Sequence, residues 1–77
     1  MAKVVVYKAE WCSWCHKTTD FLKENNVEFE ARDVDNPENA REVMEISGQG
    51  GIPVTVIDGN VVIGFDVARL KELLNLE

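Results

Sequence analysis

The stretch Val4-Val5-Val6-Tyr7-Lys8-Ala9-Glu10-Trp11-Cys12-Ser13-Trp14-Cys15-His16-Lys17 decides how the rest of the chain is read. It begins in a β-rich run, Lys3 to Lys8, whose three consecutive valines suit a strand buried on both faces. From Ser13 to Asn25 the period changes. Trp14, Thr18, Phe21 and Leu22 recur at spacings of three and four, which is one face of a helix. A Cys-x-x-Cys therefore falls where a strand hands over to a helix. The first N–H groups of a helix lack partners, and the aligned peptide dipoles add positive charge there. A thiolate at Cys12 is favoured in that setting, and more of it is nucleophilic at neutral pH. Cys15 lies about one turn deeper on the same side, close enough to attack a mixed disulfide on Cys12 and less open to partners. Cys12 is the expected attacking thiol and Cys15 the resolving thiol.

Outward from that motif, Asn25-Asn26 stops the helix, since Asn tolerates the left-handed conformation. Val27 to Val34 alternates Val27, Phe29 and Ala31 against Glu28, Glu30 and Arg32, the period of a strand. Asp35-Asn36-Pro37-Glu38 is a helix start, with a capping Asn, Pro at the first helical position and an acid in the first turn. Ala40, Val43, Met44 and Ser47 carry that helix to Gly48. Met44 and Phe29 are expected in the core. Gly48-Gln49-Gly50-Gly51 breaks the chain before Ile52-Pro53. Val54–Ile57, the turn Asp58-Gly59-Asn60 and Val61–Ile63 then form a hairpin. Asp66 precedes a closing helix with Val67, Leu70, Leu73 and Leu74 on its apolar side. The order β-α-β-α-β-β-α predicts an α/β fold. In it the first two strands are parallel with a right-handed crossover, and a four-stranded mixed sheet carries helices on both faces.

The chain has 77 residues and reads as one domain over 1–77, without linker or repeat. At 45% hydrophobic and 2 prolines it can pack a core. A net charge of -6 argues against a nucleic-acid or anionic-membrane partner. The opening Met1-Ala2-Lys3 runs straight into the first strand, without a signal-peptide pattern, and no run is long enough to span a membrane. The expected location is the cytoplasm, where structural disulfides are rare. The two cysteines, both in one motif, are then read as reactive rather than structural.

Other chemistries fit part of the motif. Cys12-Ser13-Trp14-Cys15-His16 matches C-x-x-C-H, the c-type haem attachment pattern with His16 as axial ligand. The missing export signal and the α/β patterning stand against it. One Cys-x-x-Cys gives two thiolates where a closed zinc site wants four ligands, and His16 abuts Cys15. A metal or iron–sulfur cluster bridged between two chains would solve the count, so a cluster-binding dimer is the alternative function. Several side chains have two readings. His16 and Lys17 are either solvated or tune the pKa of the dithiol by their positive charge. Trp11 and Trp14 either pack on the sheet or form an apolar rim for partner proteins. Glu10 is either a solvated acid or a proton shuttle near Cys15.

Ala9-Glu10-Trp11-Cys12 resembles the approach to the active site in thioredoxins. The short chain, with Gly51-Ile52-Pro53-Val54, Ile57-Asp58-Gly59 and Gly64-Phe65-Asp66, resembles a glutaredoxin over essentially its whole length. The resemblance implies the thioredoxin fold, with Pro53 cis beside the dithiol. Ile52 would then offer its backbone to an incoming cysteine-containing segment. It implies substrate-binding roles for Trp11, Trp14, Ile52, Pro53, Gly64, Phe65 and Asp66, with Asp66 holding the γ-glutamyl amine if glutathione is a co-substrate. It also implies a thiol–disulfide oxidoreductase with no cofactor or metal beyond the Cys12–Cys15 dithiol, working as a monomer. Clients such as a ribonucleotide reductase or a peroxidase are expected, with thioredoxin reductase or glutathione as electron donor. The chain departs from both families between its cysteines. Ser13-Trp14 stands where thioredoxins carry Gly-Pro and glutaredoxins often Pro-Tyr. Ala9 replaces the usual basic residue, and Ile63-Gly64 the late Gly-Gly.

Overall fold

Three valines and a tyrosine, all buried, make β1 (Val4–Lys8) the centre around which the chain assembles. The structure, a computed structural model, describes residues 2–76. Met1 and Glu77 of the expected domain lie outside the described residues. After β1 come α1 (Ser13–Glu24), β2 (Glu30–Asp33), α2 (Pro37–Ser47), β3 (Val54–Ile57), β4 (Asn60–Ile63) and α3 (Val67–Leu74). The four strands form one sheet in the order β2-β1-β3-β4. β1 runs parallel to β2, with Val6 opposite Ala31, and antiparallel to β3, with Val6 opposite Thr55. β3 and β4 form the hairpin expected from the sequence. Its two-residue loop has positive φ at both Asp58 and Gly59, the backbone that matches the twist of the strands.

The sheet is covered on both faces. On one, Val4, Val6, Ile57 and Val62 pack with Leu22 of α1 and Leu70 of α3. On the other, Val5, Tyr7 and Val54 pack with Val43 of α2. Each fully buried aliphatic side chain contributes about 1.5–3 kcal/mol relative to exposure. The helix ends follow their sequence signals. Asn36 caps α2, its side chain accepting the Glu38 N–H at 3.0 Å, and Pro37 follows at the first helical position. Gly48, with φ 73, closes α2, and Asn26, with φ 58, follows α1. Among the described residues, no helix is long and apolar enough to cross a membrane.

Three expectations need correction. β2 begins at Glu30, not Val27, and its alternation is inverted: Ala31 is exposed and Arg32 half-buried. As an edge strand with only one neighbour, β2 leaves the α1 side of Ala31 partly uncovered. Arg32 turns instead toward α2. Met44 is 57% exposed, because Val43 alone of α2 is buried against the sheet. Phe29 is only half-buried, packing on the edge of the α1–α3 core.

With so little apolar burial, α2 is tied to the sheet by a polar network. The Tyr7 hydroxyl and the Arg32 guanidinium both donate to the Glu42 carboxylate of α2, and Arg32 Nε donates to Glu30 at 2.6 Å. Burial, reinforced by Glu42, pushes the Tyr7 phenol above its ordinary value. The Tyr7 hydroxyl and then Arg32 hold the Glu42 carboxyl below its ordinary range, and Arg32 does the same to Glu30. Both carboxyls thus titrate lower in the folded chain than in the unfolded one. Their stabilisation is complete above the ordinary value of 4.5 and is lost as pH falls through the folded values. Glu42→Gln should therefore lower the urea midpoint at neutral pH and reduce the further loss on acidification below pH ~4. Glu30 would retain part of that loss. An acid dependence identical to wild type would contradict the assignment.

Candidate active site

At the end of β1 the chain turns sharply, the Ala9 carbonyl accepting the Cys12 N–H at 3.1 Å. Ala9 is fully buried at this turn, packed with Cys12 and Cys15. The turn delivers Cys12 to the N-cap of α1 in an extended conformation. Its Sγ accepts the Cys15 N–H at 3.1 Å, the contact that a Ser or Asp oxygen makes at an ordinary cap. The first turn of α1 holds no acidic residue, so nothing there opposes negative charge on that sulfur. Cys12 and Cys15 are joined as a disulfide, with Cα atoms 5.2 Å apart. Both cysteines are buried, Cys12 less completely, with 7% exposure against 1% for Cys15.

The loop before β3 closes over this pair. The Ile52–Pro53 peptide is cis, and Ile52 packs against the cluster of Ala9, Cys12 and Cys15. Pro53 is buried and its carbonyl accepts the Gly64 N–H at 2.8 Å, linking the loop to the end of β4. Gly64 has φ 78, a conformation that disfavours any side chain. Among the described residues the backbone of Ile52 has no hydrogen-bond partner.

Trp14, Ile52, Pro53, Gly64 and Phe65 line one groove of about 310 Å³. The structure thus brings together five of the seven residues expected to bind substrate. The Phe65 ring bridges the groove, 6.2 Å from Trp14 and 6.0 Å, edge-on, from Phe21. Trp14, placed by its helical spacing on the apolar side of α1, is 57% exposed and forms a wall of the groove.

The other two expected residues lie elsewhere. Trp11, 69% exposed, is held outside the groove lining by a hydrogen bond from its Nε1 to Asp35, at 3.3 Å. Asp66 caps α3, accepting the Arg69 N–H at 3.1 Å, and does not line the groove. The two expected pKa-tuning residues separate as well. Lys17 sits over the Trp14 ring, its ammonium 4.7 Å from the centroid. His16 bonds the Glu10 carbonyl at 2.7 Å. Asp35 was missed by sequence reasoning, because it lies far from the motif in the chain. It reads locally only as part of a helix start. Among the described residues, no group of three or more His, Cys, Asp or Glu side chains is gathered to hold a metal ion.

Residues 4–62 match the family model described as Glutaredoxin. The chain is 35% identical over 72 residues to an uncharacterized glutaredoxin-like 8.6 kDa protein in the rubredoxin operon of Clostridium pasteurianum, covering 92% of this chain and 96% of that one. It is 31% identical over 67 residues to glutaredoxin 3 of Escherichia coli strain K12, covering 86% and 81%. Among solved structures, a variant of the thioredoxin-like protein BC3987 superposes with TM-score 0.92 at 37% identity over the full length of both chains. The glutaredoxin of Archaeoglobus fulgidus superposes with TM-score 0.85 at 35% identity, covering 96% and 87%. The fold is the thioredoxin fold, as these neighbours establish.

As an N-cap, Asp66 contributes to stability whatever else it does. Asp66→Ala should lower the unfolding free energy by about 1 kcal/mol, read as a shifted urea midpoint. An unshifted midpoint would contradict the capping role.

Proposed function

The chain belongs to the glutaredoxin family, and from that premise we propose that it is a cytoplasmic protein-disulfide reductase working through a Cys12/Cys15 dithiol cycle. The observation that carries the reading is the placement of the Cys12 sulfur. It occupies the N-cap of α1, accepts a backbone N–H, and is the less buried of the pair beside an apolar groove.

In the cycle the Cys12 thiolate attacks a sulfur of the substrate disulfide, and the departing sulfur takes the electron pair and a proton. The mixed disulfide is held while the substrate chain lies along the groove. Ile52, whose backbone groups have no hydrogen-bond partner among the described residues, supports the incoming segment as a neighbouring strand would. Trp14, Pro53, Gly64 and Phe65 receive the side chains flanking its cysteine. Trp11 supplies apolar rim on the far side of Cys12. Cys15 then displaces the substrate sulfur, leaving reduced substrate and the Cys12–Cys15 disulfide. Recharging needs two electrons from outside. The donor is thioredoxin reductase or glutathione, and in the second case Asp66 would hold the γ-glutamyl amine. Clients are proteins whose cysteines oxidise in turnover, such as a ribonucleotide reductase or a peroxidase.

The test follows thiol release when oxidised protein is offered NADPH with thioredoxin reductase, or glutathione with its reductase, in the presence of a disulfide substrate such as insulin. Wild type should turn over with at least one donor. Cys12→Ser should be inactive with both, and Cys15→Ser should accumulate a mixed disulfide with the substrate. Full activity in Cys12→Ser would overturn the proposal.

A further inference from the structure

The resolving step poses a chemical problem that the groove does not solve. Cys15 is 1% exposed, and a thiol becomes a nucleophile only by losing its proton. A second cavity, of about 290 Å³, opens onto Cys15 and shares no lining residue with the groove. Where the groove is lined by apolar side chains and a glycine, this cavity mixes charged Lys8, Glu10 and Lys23 with His16, Cys15 and apolar residues such as Phe29.

The His16 ring has a fixed orientation there. Its Nε2 lies 2.7 Å from the Glu10 carbonyl oxygen, which can only accept a hydrogen bond. That nitrogen therefore carries hydrogen, and in the neutral ring Nδ1 keeps the lone pair. Once Nδ1 takes a proton the ring is a cation, and its Nε2 stands 4.0 Å from the Glu10 carboxylate. Glu10 thus sets the tautomer through its carbonyl, and its carboxylate lies near the same nitrogen. Lys8 holds that side chain at 3.2 Å, and is itself 3.8 Å from Asp33 of β2. The charged groups lining the cavity with the ring are Lys8 from β1, Glu10 from the turn and Lys23 from α1. Cys15, His16 and Glu10 thus line one and the same cavity.

We propose that His16 is the proton acceptor for Cys15 in the resolving step, with Glu10 as its positioning residue; this rests on the dithiol cycle above. The Cys15 sulfur bonds to the Cys12 sulfur, the bond from Cys12 to the substrate sulfur breaks, and the substrate leaves as thiolate with the electron pair. The Cys15 proton passes to His16 Nδ1, directly or through one water, for which the cavity has room. It then passes to solvent or to the leaving thiolate. Oxidation of the protein dithiol balances reduction of the substrate disulfide. On this assignment His16 serves the second cysteine rather than tuning the first.

Reaction of reduced protein with excess dithionitrobenzoate separates the two steps, since each releases one coloured thiolate. The first release depends on reagent concentration and reports attack by Cys12. The second does not, and reports resolution by Cys15. In His16→Gln the second phase should slow on the order of a hundredfold, the lower end of what a positioned base supplies. Added imidazole should restore it, and the first phase should remain within about twofold. Glu10→Gln, which keeps the backbone carbonyl, should slow the second phase less. A second phase within a factor of about two of wild type, one that ignores imidazole, or a first phase slowed equally would overturn the proposal. Absence of a second release from wild type would instead mean that the dithiol cycle itself is wrong.

Discussion

The hydrogen bond from the Cys15 N–H to the Cys12 sulfur is where fold and chemistry share one atom. A helix start needs an acceptor for N–H groups that have no partner, and it favours negative charge. Cysteine in the cap position meets the first need as a thiol or disulfide and gains most as a thiolate. The surrounding structure keeps the sulfur at that point. The buried valines of β1 fix the strand, the buried Ala9 fixes the turn, and Ile52 closes over the pair from the opposite loop.

Two supports hold the site from either side. On one, the Pro53 carbonyl pairs with Gly64, and Phe65 packs between Trp14 and Phe21, joining the hairpin and the start of α3 to α1. On the other, Trp11 bonds Asp35 just ahead of α2, and α2 is tied down by Val43 with the Tyr7–Arg32–Glu42 network. The dithiol also has two distinct surroundings. An apolar groove is walled by Ile52, which packs on both cysteines, and a second cavity of mixed lining lies beside Cys15. In the proposed cycle the groove receives the substrate and the cavity takes the Cys15 proton.

Much of this was readable from the chain because the signals are local. The strand–Cys-x-x-Cys–helix, the Asn36-Pro37 start, the Asp58-Gly59 turn and the Asp66 cap each depend on a few neighbouring residues. The grouping of Trp14 with Ile52, Pro53, Gly64 and Phe65 came from family resemblance, since no periodicity brings residue 14 to residue 65. What sequence alone did not reveal depends on long-range packing. Ala31 and Arg32 exchange their expected burial because β2 is an edge strand, and an edge has too few neighbours to enforce alternation. Met44 has helical spacing suited to a core, yet Val43 is the one residue of α2 that is fully buried against the sheet. The Trp11–Asp35 and His16–Glu10 contacts join residues whose types suggest several partners, and only the folded turn selects among them.

Whether the capped sulfur is the working nucleophile is decided by alkylating the fully reduced protein with a limiting amount of iodoacetamide near neutral pH. The label is then mapped by peptide mass. If the N-cap of α1 activates Cys12 while Cys15 stays covered, the label falls on Cys12 and forms faster than on an unstructured cysteine peptide. Label on Cys15 first, or on both at the rate of the peptide, would contradict it.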